Sequence, residues 1–172
     1  NAAYFQLTKN VFPTAKLIID RFHIVKHLNT AFNDFRVREM KRLITNKKKS
    51  KANKLKSNWK LLLKNQTNIS ISEFKTWRNF PSPKYHLLTE SMVIDRLLSF
   101  SSELKEAYDI FHLLMYHFRN KDDRSFFELL KNLPDSLDTQ FRDKIENLIS
   151  YEEGIRNALK YNFSNGKIEA KN

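Results

Sequence analysis

Asp20 stands at a position where a carboxylate can do chemistry. It closes the apolar run AKLIID, residues 15–20, and is followed by RFH. Acidic residues at the carboxyl ends of buried strands commonly line sites in α/β sheets. An aspartate ahead of a helix is also a preferred N-cap, and spacing alone favours that interpretation of Asp20.

Glu169 is the second carboxylate of interest, directly after SNGKI near the other end of the chain. Ser164 or Asn165 can cap a helix there, and Gly166 permits a tight turn into it. A glutamate in the first turn of a helix is stabilised by the helix dipole. Taken alone, this segment is a weak signal for chemistry.

Four of the five histidines fall into two pairs. His23 and His27 are four residues apart and share a helix face, a spacing that can hold a metal. The residues between them are IVK, without the glutamate of an H-E-x-x-H motif, and no third ligand is evident. We interpret them as packing or surface histidines. His112 and His117 are five apart, share a face poorly and receive no role.

A lysine run occupies residues 46–60. Each phosphate that a lysine neutralises releases counterions, so this run predicts salt-dependent binding to a nucleic acid. The lysines are Lys47, Lys48, Lys49, Lys51, Lys54, Lys56 and Lys60. The alternative is a solvated, flexible loop. Trp59 can stack on a base, although the apolar spacing of WKLLL favours a core position for it.

The elements that must position these residues are mostly helices. Two glycines and four prolines are few for the hairpins of a sheet-rich fold. Apolar spacing and capping signals predict helices over residues 2–11, 21–45, 59–65, 70–80, 90–119, 122–133, 136–150 and 152–161.

Residues 15–20 are the one convincing strand. An isolated strand leaves its backbone groups unpaired, so we expect it to belong to a sheet whose other strands lie outside this sequence. Without that sheet, the segment is expected to be disordered, to pack on the helices or to pair with a second copy of the chain.

Composition narrows the class of protein. The net charge of +12 and the pI of about 9.8 favour a nucleic-acid partner over an anionic membrane or a ribosome. The absence of cysteine excludes disulfides and cysteine zinc sites. No apolar run approaches the ~18 residues of a membrane span. We expect a cytoplasmic, nucleoid-associated protein with no membrane partner.

Four segments together resemble bacterial insertion-sequence transposases of the ISL-three family. They are FPTAKLIIDRFHIVKHLNTAFNDFR, WKLLLKN, LKEAYDIFHLL and YNFSNGKIEAKN. They match in order over nearly the whole chain, and the first and last are the specific ones. The resemblance implies a mainly α piece of a DDE transposase. A helical insertion domain, residues 23–162, would separate two parts of a ribonuclease-H-like α/β core, residues 1–22 and 163–172.

The core parts would contain one strand near 15–20 and the start of the last core helix near 167–172. The resemblance also implies a reaction, the two-metal cleavage and transfer of DNA strands. Three carboxylates would hold Mg²⁺ or Mn²⁺, because hard cations prefer carboxylate oxygens. Glu169 matches the last of the three, and Asn165 and Gly166 border it. The implied partners are transposon-end and target DNA, bound by a homo-oligomer.

The resemblance leaves two roles open for Asp20. In one, Asp20 is the second catalytic carboxylate and a metal ligand. In the other, the second aspartate lies just upstream of Asn1, and Asp20 and His23 form a short D-x-x-H motif that borders the site. We prefer the second role.

Either role places the first catalytic aspartate upstream of Asn1. We therefore expect the 172-residue chain to bind DNA without cleaving or joining it, and to hold no metal by itself. One alternative is a non-catalytic, basic helical module that binds nucleic acid. A helical protein-interaction scaffold is another, and it predicts exposed apolar patches with little salt-dependent DNA binding.

Overall fold

The computed structural model describes residues 10–12, 14 and 16–161. Its helices are α1 (Arg21–Thr45), α2 (Lys49–Ser57), α3 (Trp59–Leu62), α4 (Glu90–Leu98), α5 (Ser102–Arg119), α6 (Asp123–Lys131), α7 (Thr139–Glu146) and α8 (Glu152–Lys160). Two 3-10 turns, Gln66–Asn68 and Asn147–Tyr151, follow α3 and α7. Over the described residues the chain forms isolated β-bridges but no sheet, which confirms the mainly α prediction.

Helix α1 is the central element, and its bounds agree with the predicted helix over 21–45. It begins at Asp20, whose Oδ1 accepts a hydrogen bond from Phe22 N over 2.8 Å. It contacts α2, α5, α7 and α8. Phe32 of α1 stacks on Phe111 of α5 with 4.8 Å between the ring centroids. Burying such large rings supplies most of the driving force for this helical packing.

The predicted helix over 70–80 is wrong. Ser70 Oγ accepts a hydrogen bond from Glu73 N over 3.0 Å, so the capping signal forms, but no helix follows it. Instead, Lys75 N donates to Leu88 O over 3.2 Å and Leu88 N donates to Lys75 O over 2.9 Å. This segment is rich in aromatic and β-branched residues, which favour an extended backbone. A short helix without a buried stripe also gains too little from packing to offset its nucleation cost.

The predicted helix over 90–119 is two helices, α4 and α5, separated at Ser99–Ser101. Ser101 has an extended backbone, and its Oγ accepts a hydrogen bond from Leu104 N over 3.0 Å. A serine that caps a new helix competes with the continuation of the old one.

Residues 16–20 form neither a helix nor a paired strand within the described part of the chain. Of the three expected fates for this segment, the structure shows packing on the helices, against α8. Of the predicted helix over 2–11, residues 10 and 11 are helical and the others lie outside the described residues. Asn165, Gly166 and Glu169 also lie outside them.

The remaining helical predictions hold with shifted ends. The apolar stretch WKLLLKN contributes one helical turn, α3, followed by the 3-10 turn. The stretch 136–150 becomes α7 and its adjoining 3-10 turn, and 152–161 becomes α8. Helix α1 crosses the proposed domain boundary at residues 22–23 without interruption.

Candidate nucleic-acid interface and junction at α8

The segment before α1 is held against α8 by two hydrogen bonds. Ile19 N donates to Gly154 O over 3.2 Å, and Asn157 Nδ2 donates to Leu17 O over 2.8 Å. We call these residues and their contacts the junction. Because Asp20 follows Ile19 directly, the junction fixes the start of α1 relative to α8.

Gly154 makes the close approach at the junction possible. A Cβ atom at this position would lie 2.8 Å from Ile19 Cγ1 and 3.6 Å from Leu17 Cδ2. The first of these distances is shorter than a van der Waals contact, so a larger residue would displace Ile19. Glycine is unfavourable inside a helix by about 1 kcal/mol relative to alanine, and here that cost accompanies a tight packing contact.

Asp20 is the N-cap of α1, as its spacing favours. One carboxylate oxygen accepts the bond from Phe22 N, and the side chain is half-buried. A carboxylate oxygen is the donor type that Mg²⁺ prefers, so the residue type at this position fits the implied metal. The second implied ligand, Glu169, lies outside the described residues. Asp20 and Glu169 as catalytic and metal-binding residues therefore stay predictions.

His23 and His27 line a small cavity of about 240 Å³ next to Ile19 and Tyr151. His23 is exposed, and His27 Nε2 donates to Lys144 O over 2.6 Å. Within the described ranges, no three His, Cys, Asp or Glu side chains come together as a metal site. These contacts are those of surface and packing histidines.

The lysine run is mostly helical rather than a flexible loop, because α2 is anchored on α1. Ala52 and Leu55 of α2 are buried in the core. Arg36 of α1 is buried as well, and its Nη1 donates to Leu55 O over 3.2 Å. Burial lowers the pKa of Arg36 from its usual value. The anchored helix therefore presents its lysines in fixed rows.

The lysines of α2 lie on two opposite sides of its exposed surface. Lys51 and Lys54 lie on one side. Lys51 Nζ is 5.2 Å from the centroid of the Phe100 ring, and Lys54 Nζ is 4.8 Å from that of the Phe80 ring. Lys49 and Lys56 are seven residues apart, two helical turns, and share the other side. Both are exposed.

The other predicted DNA-binding lysines lie at the ends of α2. Lys47 and Lys48 form the turn that joins α1 to α2, where Lys47 has a φ of 58°, in the left-handed region that disfavours most side chains. Lys60 lies in α3, with Nζ 5.7 Å from the centroid of the Trp59 ring. The structure therefore places the predicted lysines along one helix and its two flanking turns.

Trp59 is 40% exposed, so the expectation that it lies in the core is wrong. Leu61 and Leu62 fill the core from the single turn of α3 and leave Trp59 at the surface. Trp59 borders a groove of about 470 Å³ that Trp77 also lines. Trp77 is half-buried and its Nε1 donates to Leu88 O over 2.9 Å.

Glu90 lines the same groove and orders the segment around it. Its carboxylate accepts hydrogen bonds from Lys64 Nζ over 2.6 Å and from Ser70 N over 2.9 Å, and it lies 4.0 Å from Lys75 Nζ. Burial alone would raise the pKa of Glu90, but these bonds and charges outweigh it and hold that pKa below its usual value.

The charge around α2 is almost entirely positive. Between Glu39 and Glu90 the sequence has a single acidic residue, Glu73. Cations outside the lysine run also belong to this surface, including Lys84 and Arg96 near α2. Inspection of the lysine run alone misses them, and the scarcity of acids over this whole stretch is the sequence signal that would have found them. Across the described part of the chain, no helix combines the length and apolar character that crossing a membrane requires.

The described residues thus form a helical body with a basic surface, in which the segment before α1 lies against α8. The family model for DDE transposases of the ISL-three type, described as a transposase, matches residues 1–172. The chain therefore belongs to this transposase family.

A curated protein of Lactococcus lactis subsp. lactis named ATP-dependent protease is 35% identical to this chain over 88 residues. The match covers 49% of this chain and 27% of that protein. This chain thus corresponds to about a quarter of that relative's length. No solved structure matches the chain significantly.

Proposed function

We propose that this chain is the helical insertion domain, with adjoining parts of the catalytic core, of a DNA transposase that cleaves and transfers DNA strands. The junction is the observation that carries the proposal. A domain inserted into a core must leave and re-enter it at neighbouring points. Leu17 and Ile19 contact Asn157 and Gly154 of α8, across almost the full length of the described chain.

In the full-length protein, Asp20 and Glu169 would contribute carboxylates to the metal site. The resemblance also allows Asp20 and His23 to border that site instead. Bound Mg²⁺ or Mn²⁺ would activate the attacking water or 3′ hydroxyl and stabilise the leaving oxygen. The role of this chain's own residues is positional, because the junction sets where Asp20 stands relative to the end of α8.

The basic surface supports DNA as the partner. None of the seven lysines in residues 46–60 lies within ion-pair distance of a carboxylate among the described residues. Their charge is therefore available to phosphates. The active complex would be a homo-oligomer on transposon-end and target DNA. The 172-residue chain alone would bind DNA without cleaving it, because the family's site needs three carboxylates and this sequence offers two candidates.

A salt titration of DNA binding tests the proposal. Duplex binding should weaken as salt rises, and Lys49→Gln with Lys56→Gln should lower the slope of log K against log salt by ~1.8, or ~0.9 for each lost contact. The control is Lys105→Gln with Lys144→Gln, since these lysines pair with Asp109 and Asp34. Salt-insensitive binding, or equal slopes in the two variants, would contradict the proposed surface.

The same preparation tests the prediction about cleavage. The chain should leave supercoiled DNA intact in the presence of Mg²⁺ or Mn²⁺. Nicking that disappears with Glu169→Gln would show that the chain holds a complete site.

A further inference from the structure

Three cations converge on one aromatic ring beside α2. The centroid of the Tyr85 ring lies 5.1 Å from Lys54 Nζ, 5.8 Å from Lys84 Nζ and 5.7 Å from Arg96 Cζ. Lys54 belongs to α2, Lys84 to the loop before α4, and Arg96 to α4. Tertiary folding thus brings together charges that are 30 and 12 residues apart in sequence. We call these four residues the Tyr85 cluster.

The ring at the centre of the Tyr85 cluster is fixed in place. Tyr85 is half-buried and meets the buried Phe80 edge-on, with 5.2 Å between the ring centroids. Tyr85 N also donates to Pro81 O over 3.1 Å. Lys54 Nζ lies over the Phe80 ring as well, 4.8 Å from its centroid. The Tyr85 ring therefore offers the three cations a fixed point of contact.

Among the described residues, the cations of the Tyr85 cluster have no acidic partner. No carboxylate of the described residues lies within ion-pair distance of Lys54, Lys84 or Arg96. Elsewhere the protein pairs its clustered cations, as Glu90 does for Lys64 and Lys75. A ring attracts each cation but leaves its charge unneutralised.

Such an arrangement favours the binding of phosphates. The three charges are separated by distances on the scale of the Debye length, which is about 10 Å at 0.1 M salt. They therefore repel one another, and an anion bound between them relieves that repulsion. The guanidinium of Arg96 can hold a phosphate through two parallel hydrogen bonds, whereas a lysine offers a point charge.

We propose that Lys54, Lys84 and Arg96 bind phosphates of one DNA strand, in continuation of the lysine row on α2. Lys51, one helical turn before Lys54, connects the two parts on the same side of α2. This assignment rests on the proposed DNA-binding function and extends it to residues of the loop and of α4. The interface then extends beyond the lysine run, from α2 across the loop before α4 to α4 itself.

Binding of a duplex oligonucleotide to the full chain, measured by fluorescence anisotropy over a salt series, tests the proposal. The variant Lys84→Gln with Arg96→Gln keeps the side-chain stems and removes two charges. Its slope of log K against log salt should fall by ~1.8. The matched control, Lys105→Gln with Arg124→Gln, removes the same two residue types from α5 and α6 and should keep the wild-type slope.

A charge-retaining variant guards against a merely structural effect. Lys84→Arg with Arg96→Lys should keep the wild-type slope if phosphates are bound by charge at these positions. A reduced slope in this variant would overturn the assignment, as would a wild-type slope in the glutamine variant. Circular dichroism melting of each variant checks that the fold is retained. If the double glutamine variant does not fold, Lys84→Gln alone replaces it, and its slope should fall by ~0.9.

Two further outcomes separate this inference from the proposed function. If the slope of log K against log salt falls with Lys49→Gln and Lys56→Gln but not with Lys84→Gln and Arg96→Gln, only the assignment of the Tyr85 cluster to phosphate binding is overturned. Absence of salt-dependent binding by the wild type overturns both. Poly-glutamate that binds the chain as tightly as DNA, and loses as much in the glutamine variant, would assign the cluster to an acidic peptide instead.

Discussion

Lys16 Nζ donates a hydrogen bond to Tyr161 Oη over 2.7 Å, although 145 residues separate the two. The same ammonium group lies 4.6 Å from the centroid of the Tyr161 ring. The hydrogen bond from Lys16 is the main reason why the pKa of the Tyr161 hydroxyl is lowered. Together with the bonds at Leu17 and Ile19, this contact brings the start and end of the described body to one place.

Enlarging Gly154 should loosen the junction. Gly154→Ala places a methyl group 2.8 Å from Ile19 Cγ1. Overpacking of this kind costs about 1–3 kcal/mol, which outweighs the ~1 kcal/mol that alanine gains in a helix. Urea unfolding of Gly154→Ala should therefore show a net loss of stability.

The clash also predicts coupling with Ile19. Ile19→Ala removes the atoms that the new methyl group meets, so the double variant should be more stable than the sum of the two single effects. Strict additivity would show that the two residues do not press on each other.

Neutralising Glu90 should destabilise the 70–92 segment. Glu90→Gln removes the charge that accepts from Lys64 and Ser70, and loss of hydrogen bonds to a charged, half-buried group costs about 1.5–3 kcal/mol. Hydrogen exchange of the Ser70 and Leu88 amides should quicken. Glu73→Gln is the control, because Glu73 is exposed and has no described ion-pair partner; equal effects of the two changes would contradict this role of Glu90.

Acid should destabilise the protein through His112. This side chain is 4% exposed and its Nε2 donates to Leu62 O over 2.9 Å. Burial lowers the pKa of His112 from its ordinary value of about 6.5. The unfolded chain then takes up the proton first, so the contribution of His112 to stability is complete above about pH 6.5 and declines as pH falls toward the folded-state pKa.

Urea unfolding between pH 7.5 and pH 5 measures this decline. His112→Gln keeps a donor for Leu62 O and should flatten the dependence over that range. The exposed His86 provides the control, since His86→Gln should leave the dependence unchanged. A wild-type pH profile in His112→Gln would assign the acid sensitivity to other groups.

Trp59 should report on unpaired bases. The chain has two tryptophans, so Trp77→Phe leaves Trp59 as the single fluorophore and Trp59→Phe leaves Trp77. A stacked base contributes about 1–3 kcal/mol, and single-stranded DNA should quench the exposed Trp59 while leaving the Trp77 signal nearly constant. Quenching confined to Trp77 would remove Trp59 from the interface.

The parts of the fold that local chemistry decides were predictable from sequence. The cap at Asp20 and the apolar spacing that follows it define α1 from its first residue to its last. A helix start at Ser101 is compatible with the sequence, because serine is a preferred N-cap. The continuous apolar spacing on both sides of it concealed the break.

Other features depend on partners distant in sequence. The segment 70–80 is extended because Lys75 pairs with Leu88 and because Trp77 bonds to the same carbonyl. Trp59 is exposed because Leu61 and Leu62 occupy the core positions that one short turn can reach. The charges around Tyr85 come from three separate elements, which a scan for lysine runs cannot detect.

The most direct test of the central claim is DNA cleavage by the full-length protein with Glu169 and with Glu169→Gln. Element-end DNA and Mg²⁺ serve as substrate and cofactor, and duplex binding is measured on the same preparations. Loss of cleavage by Glu169→Gln with unchanged DNA binding is the predicted result, and it would identify Glu169 as a metal ligand. Equal cleavage by both proteins would contradict that role and favour a basic helical module that binds nucleic acid without catalysing its cleavage.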